Sequence, residues 1–346
     1  MSTTMHGHRR TRRAAVITLT TFAAAVAVGG SAALAQSPSA GTPLDLAYLS
    51  FAVANSYDAP MQAAAEAAAA AGGAKLTVFD ANNDPNAQTK QLQDAVASGQ
   101  YDGIVLQPIY GAGLVTGVQD AIAQGIAVAN IDQILGTDFT TADSQVEGLS
   151  ANVVFVPSDM GAKIGQLVVQ ACADLAVDPC EVGYIYSVKA AGLDGALRTA
   201  FDAAIAENPA ISVVAEGESF YQQSLGLKAA QDMLTAHPDL DVIVGADQAA
   251  IGALTAAQGA GVADKIRLVG YGGGQAGLDS VAAGTQFGTV VQLPASEGRL
   301  GVEQLIAAIR SGTPSPGMDP LAELPDGGVV TKDNVEQFLT LAEWPG

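Results

Sequence analysis

The chain has 346 residues, enough for two domains that each bury a core, and 35 Asp and Glu stand against 15 Lys and Arg. A net charge of −20 argues against nucleic acid or an anionic membrane surface as a partner, since either would repel it. With 49% hydrophobic residues and 5% aromatics, the composition is that of a helix-rich, alanine-packed globular protein rather than a disordered chain.

Arg9, Arg10, Arg12 and Arg13 precede an apolar run from Ala14 to Val28, and Ala33-Leu34-Ala35 supplies small residues for a cleavage site before Gln36. That is the pattern of a secretory signal peptide over residues 1–35. The apolar run is too short to span a bilayer, and no cysteine stands at the cleavage point to carry a lipid anchor. The mature product is therefore expected to be periplasmic or otherwise extracytoplasmic. Loss of the four arginines leaves eleven basic residues against 35 acidic ones, a charge of about −24.

Residues 36–43 read as a Ser/Pro/Gly leader. Leu44 to Leu49 is the first predicted strand, followed by the loop Asn55-Ser56-Tyr57-Asp58. Pro60 suits a helix's first turn, and the helix Met61 to Ala71 stops at Gly72-Gly73. A strand over Lys75 to Phe79 leads into Asp80-Ala81-Asn82-Asn83-Asp84, which resembles a calcium loop in its first residues. Pro85 takes the place of the turn glycine, and Gln91 that of the bidentate glutamate, so a polar turn is expected instead. A helix over Ala87 to Ala97 follows.

Tyr101 to Gln133 shows the plan most clearly. Asp102-Gly103 is a turn, and Ile104-Val105-Leu106 is a short apolar run ending at Gln107-Pro108. Leu114, Val115, Val118 and Ile122 recur at helical spacing until Gly125 closes the helix. Ile126 to Ile131 is a second buried strand, ending on Asp132-Gln133. Strand, helix and strand with short connections form a right-handed crossover, which makes the strands parallel. Ligands of such sheets bind beyond the strands' carboxyl ends, where Gln107, Asp132 and Gln133 lie.

Ile134 to Asn152 is predicted irregular, then Val153 to Val156 is a strand and Pro157-Ser158-Asp159 a crossing between domains. Helices are expected over Lys163 to Ala173, Leu197 to Ala206 and Leu225 to Leu234, alternating with strands at Val182 to Tyr186 and Ser212 to Ala215. Pro238 to Gly270 repeats the plan of the Tyr101 unit, a sign of duplication. Cys172 and Cys180 are the only cysteines. In an exported protein the pair is expected to form a disulfide between a helix end and a strand start; two buried free thiols are the alternative.

Gly272-x-Gly274-x-x-Gly277 follows a predicted strand and opens a helix, with Glu297 further on, which formally fits a dinucleotide fingerprint. The unit comes late in the chain, and an exported protein meets little nicotinamide, so an oxidoreductase is the weaker reading. His237 is the single histidine after residue 35, and no nucleophile–histidine–acid set can be assembled. No enzyme activity and no cofactor or metal are expected.

The segments Asn55-Ser56-Tyr57, Ile126 to Asp132, Met233 to Asp239, Leu268 to Gly272 and Val290-Val291-Gln292-Leu293-Pro294 together resemble the ribose/galactose class of periplasmic binding proteins, the solute receptors of ABC importers. The resemblance runs from about Asp45 to Gly312. It implies an α/β fold of two Rossmann-like parallel-sheet lobes joined by a three-segment hinge. The first lobe would comprise residues 44–156 plus 293–323 and the second 157–292 plus 324–346. Crossings would fall near Val156-Pro157, Gln292-Leu293 and Pro320 to Asp326, with helix Glu297 to Arg310 returning to the first lobe. The implied partners are a small-molecule ligand and a membrane permease, with the receptor a monomer.

Carried over residue by residue, Asn55, Tyr57, Asp132, Tyr221 and Gln292 match ligand-binding positions of that family. Asp58, Gln133, Asp194 and Asp247 are further candidates at strand ends. The family's arginines are missing: Gln133 and Leu197 occupy their places, and Arg198 should point elsewhere on its helix. Ala246 stands for an asparagine and Gly272 for an aspartate. A cleft of carboxylates, amides and aromatics without a cation calls for a ligand that supplies donors itself. A neutral polyhydroxy compound or an amine is expected, and an anion should be rejected.

Overall fold

The computed structural model describes residues 41–346. The signal-peptide reading of residues 1–35 and the leader residues 36–40 lie outside the described residues. In chain order the first elements are β1 (Leu44–Ser50), α1 (Asp58–Ala71), β2 (Ala74–Asp80), α2 (Pro85–Ser98), β3 (Gly103–Leu106), α3 (Gly111–Ala123), β4 (Ala127–Asp132) and β5 (Ala151–Val154). Their strands form one parallel sheet in the order β2-β1-β3-β4-β5. The next are α4 (Pro157–Leu175), β6 (Cys180–Tyr186), α5 (Gly192–Ile205), β7 (Ile211–Glu218), α6 (Gln223–Ala236), β8 (Val242–Val244), α7 (Asp247–Ala260), β9 (Arg267–Val269), α8 (Gln275–Ala283) and β10 (Gly288–Val290). After α9 (Pro294–Ser311), strand β11 (Val329–Thr331) pairs antiparallel with β10. The second sheet runs β11-β10-β9-β8-β6-β7.

Apart from β11, the second sheet repeats the first strand for strand. In each, the opening strand lies between the second and third, so the connections leave to opposite sides there. Such a switch point opens a crevice at the carboxyl ends of the strands. The residues at β3 are buried throughout, as a strand covered by helices on both faces requires. The repeated order is the structural counterpart of the duplicated sequence plan.

The chain passes between the sheets three times: from β5 into α4, from β10 into α9, and from Met318 to β11. Val154 donates its N–H to the Met318 carbonyl at 3.0 Å, so the chain touches the edge of the first sheet again before the last passage. Helix α9 packs on the first sheet and on α1, and two glycines permit the close approach. A Cβ on Gly298 would stand 2.1 Å from the Met61 carbonyl oxygen, and one on Gly301 2.3 Å from Ile131 Cγ2.

Several bounds differ from the sequence expectation. The passage at Pro157-Ser158-Asp159 is at the same time the first turn of α4, which starts before the expected Lys163 because Pro157 suits the first helical position and Asp159 pairs with Lys163. The strand expected at Val153 to Val156 lies at Ala151–Val154. The polar turn before α2 holds its carboxylates on backbone donors: Asp84 accepts from Asn86 N at 2.8 Å, and Asp80 from Asn82 N at 2.8 Å. In the irregular stretch, Gln145 accepts from Thr137 N and Asp138 N at 3.0 and 2.9 Å, which gives that loop its shape.

Cys172 in the last turn of α4 is joined by a disulfide to Cys180 at the start of β6, across a separation of eight residues. Closing so short a loop in the unfolded chain is worth roughly 2.5 kcal/mol in the chain-entropy view. The double variant Cys172→Ser, Cys180→Ser is expected to lower the unfolding free energy by about that amount in urea titrations. An unchanged midpoint would show that the bond constrains nothing.

Candidate functional site

A cavity with about 540 Å³ of empty space, its open mouth included, lies at the carboxyl ends of both sheets. The loop after β1 supplies Asn55, Tyr57 and Asp58, the end of β3 supplies Gln107, and the end of β4 supplies Asp132 and Gln133. The second sheet and its helices contribute Met160, Leu193, Leu197, Tyr221, Ala246, Gln248 and Tyr271. Phe51, Phe155, Gly272, Gln292 and Trp344 complete the lining.

Gln107 organises the polar side. Its amide donates to Asp58 Oδ1 at 2.6 Å and to Asp132 Oδ2 at 3.1 Å, while its own oxygen accepts from Phe51 N at 3.1 Å. Gln88 holds the backbone behind it, donating to the Gln107 carbonyl at 2.7 Å and accepting from Ile109 N at 2.8 Å. Tyr57 donates its hydroxyl to Asp132 Oδ1 at 3.1 Å. Its N–H is in turn taken by Asn55 Oδ1 at 2.8 Å. The Tyr57 ring meets Trp344 edge to face, with centroids 5.4 Å apart.

Two sites in the lining are strained. Asp132 ends β4 at φ 67°, and Phe220 and Tyr221 follow one another at 50° and 55° after β7. Each such non-glycine conformation costs on the order of 1–3 kcal/mol and persists only where surroundings enforce it.

The carboxyls here are buried beyond what their partners satisfy. Burial pushes Asp58 up to about 8 despite the Gln107 amide. Asp132 is also raised by burial, held back by Gln107 and Tyr57. Behind it stands Glu297, in the first turn of α9, fully buried, with no donor on either carboxyl oxygen. Burial and the neighbouring Asp132 raise Glu297 well above the carboxylate range. Two neighbouring buried carboxyls disfavour each other's ionisation, and Glu297, with no partner on either oxygen, is the one pushed further toward its protonated form.

Of the nine sites expected from sequence, Asn55, Tyr57, Asp58, Asp132, Gln133, Tyr221 and Gln292 line the cavity. Asp194 and Asp247 do not. Asp194, in the first turn of α5, is turned onto the loop after β6 and accepts from Ser187 N at 2.7 Å; burial pushes it up to about 7. Asp247 opens α7 and accepts from Thr289 Oγ1 at 2.8 Å and Gly274 N at 3.0 Å. It thereby stands at the N-terminus of α8, where the glycine motif would receive a phosphate. A Cβ on Gly277 would lie 2.4 Å from Asp247 Oδ2. The glycines make room for the chain's own carboxylate, which removes the ground for a dinucleotide.

Arg198 is engaged away from the cavity, donating to Asp202 at 2.7 Å and Tyr186 Oη at 2.7 Å, and pairing with Glu216. Lys189 pairs with the same Glu216. Sequence reasoning missed Trp344 as a wall of the cavity, and Glu297 as the buried neighbour of Asp132. Trp344 donates its indole N–H to the Gly272 carbonyl at 2.9 Å, a contact across 72 residues that no local pattern announces. The first-turn position of Glu297, on a helix expected to return to the first lobe, was the available signal.

A family model described as periplasmic binding protein domain matches residues 46–313. The chain belongs to that family. It is a solute-binding protein, not an enzyme. Among curated relatives, the D-ribose/D-allose-binding protein of Pseudomonas aeruginosa is 29% identical over 248 residues, covering 70% of this chain and 73% of that protein. The D-allose-binding periplasmic protein of Escherichia coli is 28% identical over 268 residues, 75% and 83% of the two chains. Of solved structures, an ABC transporter solute binding protein from Mycobacterium smegmatis with bound glycerol superposes with TM-score 0.73 at 25% identity, covering 88% of this chain and 99% of that one. A galactofuranose binding protein does so at 0.74 and 19% identity, covering 86% and 98%, and shows the shared fold.

The buried acids make a pH test. Folded Asp58 and Glu297 hold protons that an unfolded chain, with carboxyl pKa values about 4, releases. Between about pH 4 and pH 8 the folded state binds more protons, so their contribution to stability is full below about pH 4 and fades as pH rises to 8. Asp58→Asn keeps an acceptor for Gln107 and is expected to remove up to about 1.4 kcal/mol per pH unit of that decline. Urea midpoints of both proteins at pH 4, 6 and 8 check it; parallel pH curves would show that Asp58 is ionised throughout.

Proposed function

We propose that this chain is an exported receptor of an ABC importer that captures a neutral polyhydroxy compound, a sugar or polyol, between its two lobes. The observation that carries the reading is the chemistry of the cavity wall. Asp58 and Asp132 line it together with five amides, Asn55, Gln107, Gln133, Gln248 and Gln292, and no Lys or Arg side chain lines it among the described residues. Carboxylates accept from ligand hydroxyls, amides both give and accept, and aromatic rings cover the flat faces of a ring. The relatives named for ribose and allose support the same class. Residues 1–35 are assigned to export, which places the mature receptor outside the cytoplasm with a membrane permease as partner. The same two carboxyls would also suit a ligand amine, so amines belong in the test. Anions meet buried acids and no counter-charge, and are excluded.

The hinge is assigned to the three passages between the sheets, and a ligand touching both sides selects the closed form. Small-angle scattering should then show contraction at saturation; an unchanged radius would argue against a clamp.

Thermal shift with neutral sugars, polyols, amines and sugar acids tests the ligand class. A compound at a hundred times its Kd stabilises by about 2.7 kcal/mol, enough to be seen. Asp132→Ala should weaken binding of the compound found by roughly 1.5–3 kcal/mol. If only carboxylated compounds raise Tm, a cation reaches the cavity and the charge argument is wrong.

A further inference from the structure

The cavity's two lining acids, Asp58 and Asp132, both lie on the first sheet's side, with Phe51 and Phe155 after β1 and β5 beside them. Every lining side chain from the ends of β3 and β4 is polar: Gln107, Asp132 and Gln133. Facing them, α4 and α5 present Met160, Leu193 and Leu197. Met160 is in the first turn of α4, while Leu193 and Leu197 are one turn apart and so share a face of α5. These are the places where the helices' N-terminal ends meet the cavity. Helix ends of this kind commonly offer donors to a ligand. Here their side chains offer hydrocarbon.

The tyrosines on the same wall do not change this. Tyr271 Oη is 2.7 Å from Ser187 Oγ, which engages that hydroxyl within the second lobe. Tyr221 adds an aromatic ring to the lining. Two amides come from this side, Gln248 in the first turn of α7 and Gln292 just after β10, neither of them on α4 or α5. Arg198, adjacent to Leu197, is held by Asp202, Tyr186 and Glu216 on the far side of its helix.

We infer that the ligand has two unlike edges: hydroxyls toward Asp58 and Asp132, and a deoxy, methyl or O-methyl edge against Met160, Leu193 and Leu197. This rests on the polyol reading of the site and narrows it to an amphipathic carbohydrate. A ligand hydroxyl set against those three side chains would be buried without a partner, whereas a methyl group there gains by leaving water. The two effects act in the same direction, and a preference of ten- to a hundredfold follows.

The test is a set of matched pairs: hexoses with their 6-deoxy counterparts, pentoses with their 2-deoxy counterparts, and free sugars with their O-methyl glycosides. Trp344 is the single tryptophan of the chain and lines the cavity, so its fluorescence reports binding without a label. In at least one pair the less hydroxylated member should bind ten times tighter or more. Leu197→Gln, which sets an amide in the apolar wall, should narrow that ratio while leaving a cooperative melt. The wild-type ratio decides the matter even if that variant fails to fold. Pairs that bind equally, or parents that always bind better, would overturn the two-edge inference and leave the polyol reading standing. If no carbohydrate or polyol binds at all, both fall.

Discussion

A carboxyl group removed from water needs donors, a counter-charge or a proton, and much of this cleft follows from how that need is met. Asp58, Asp132 and Glu297 are all buried within the first lobe's end of the cavity. Among the described residues no Lys or Arg lines the cavity, so the solution is made of amides, a phenol and a proton. Gln107 donates both amide hydrogens, one to each aspartate, and is itself fixed through its oxygen by the backbone of Phe51. Glu297, unpartnered and buried beside Asp132, is pushed toward its protonated form. Asp132 is thereby held as an acceptor, while Asp58, pushed up to about 8 by burial, can also donate.

The repeated topology makes the second lobe a natural control. The helix after the first strand of each sheet has an aspartate in its first turn, Asp58 in α1 and Asp194 in α5. Asp58 finds a side-chain amide from the neighbouring strand end and remains in the cavity wall. Asp194 finds the backbone N–H of Ser187, and its carboxyl turns into its own loop. Asp247 goes further and fills the N-terminus of α8. The second lobe has turned its acids inward and left hydrocarbon on the cavity face, while the first has kept them at the surface of the cleft.

The alternation of strand and helix was legible because each buried strand is short, apolar and bounded by turn residues, as at Asp102 to Gln107. Residues at strand ends were legible as site candidates for the same reason, since in a parallel sheet the carboxyl ends share one edge. What could not be read was where a side chain at such an end turns. Asp194 and Asp247 sit in the expected places, yet local backbone donors capture them. Trp344 comes from the far end of the chain and is brought in by contacts with Tyr57 and Gly272. Helix α4 begins at Pro157, before the expected Lys163, because the passage between the sheets and the helix's first turn share the same residues and proline is a favoured first residue of a helix.

The tail that carries Trp344 also ties the two sheets together. Glu343 accepts from Ser296 N and Oγ at 2.8 and 2.6 Å, satisfying the start of α9, which belongs with the first sheet. Trp344 then packs on Tyr57 and donates to Gly272, a residue of the second sheet's loop. One short segment thus touches the helix that bears Glu297, the ring that donates to Asp132, and the turn beside Asp247. Any rotation of one lobe against the other must carry this segment with one of them or break its contacts. The strained backbone at Asp132 and at Phe220–Tyr221 lies on the two sides of the same cavity. Desolvated acids, strained backbone and a bridging aromatic are gathered where a ligand's hydroxyls would supply the missing donors. Buried acids short of donors and strained backbone hold free energy that a fitting ligand can recover.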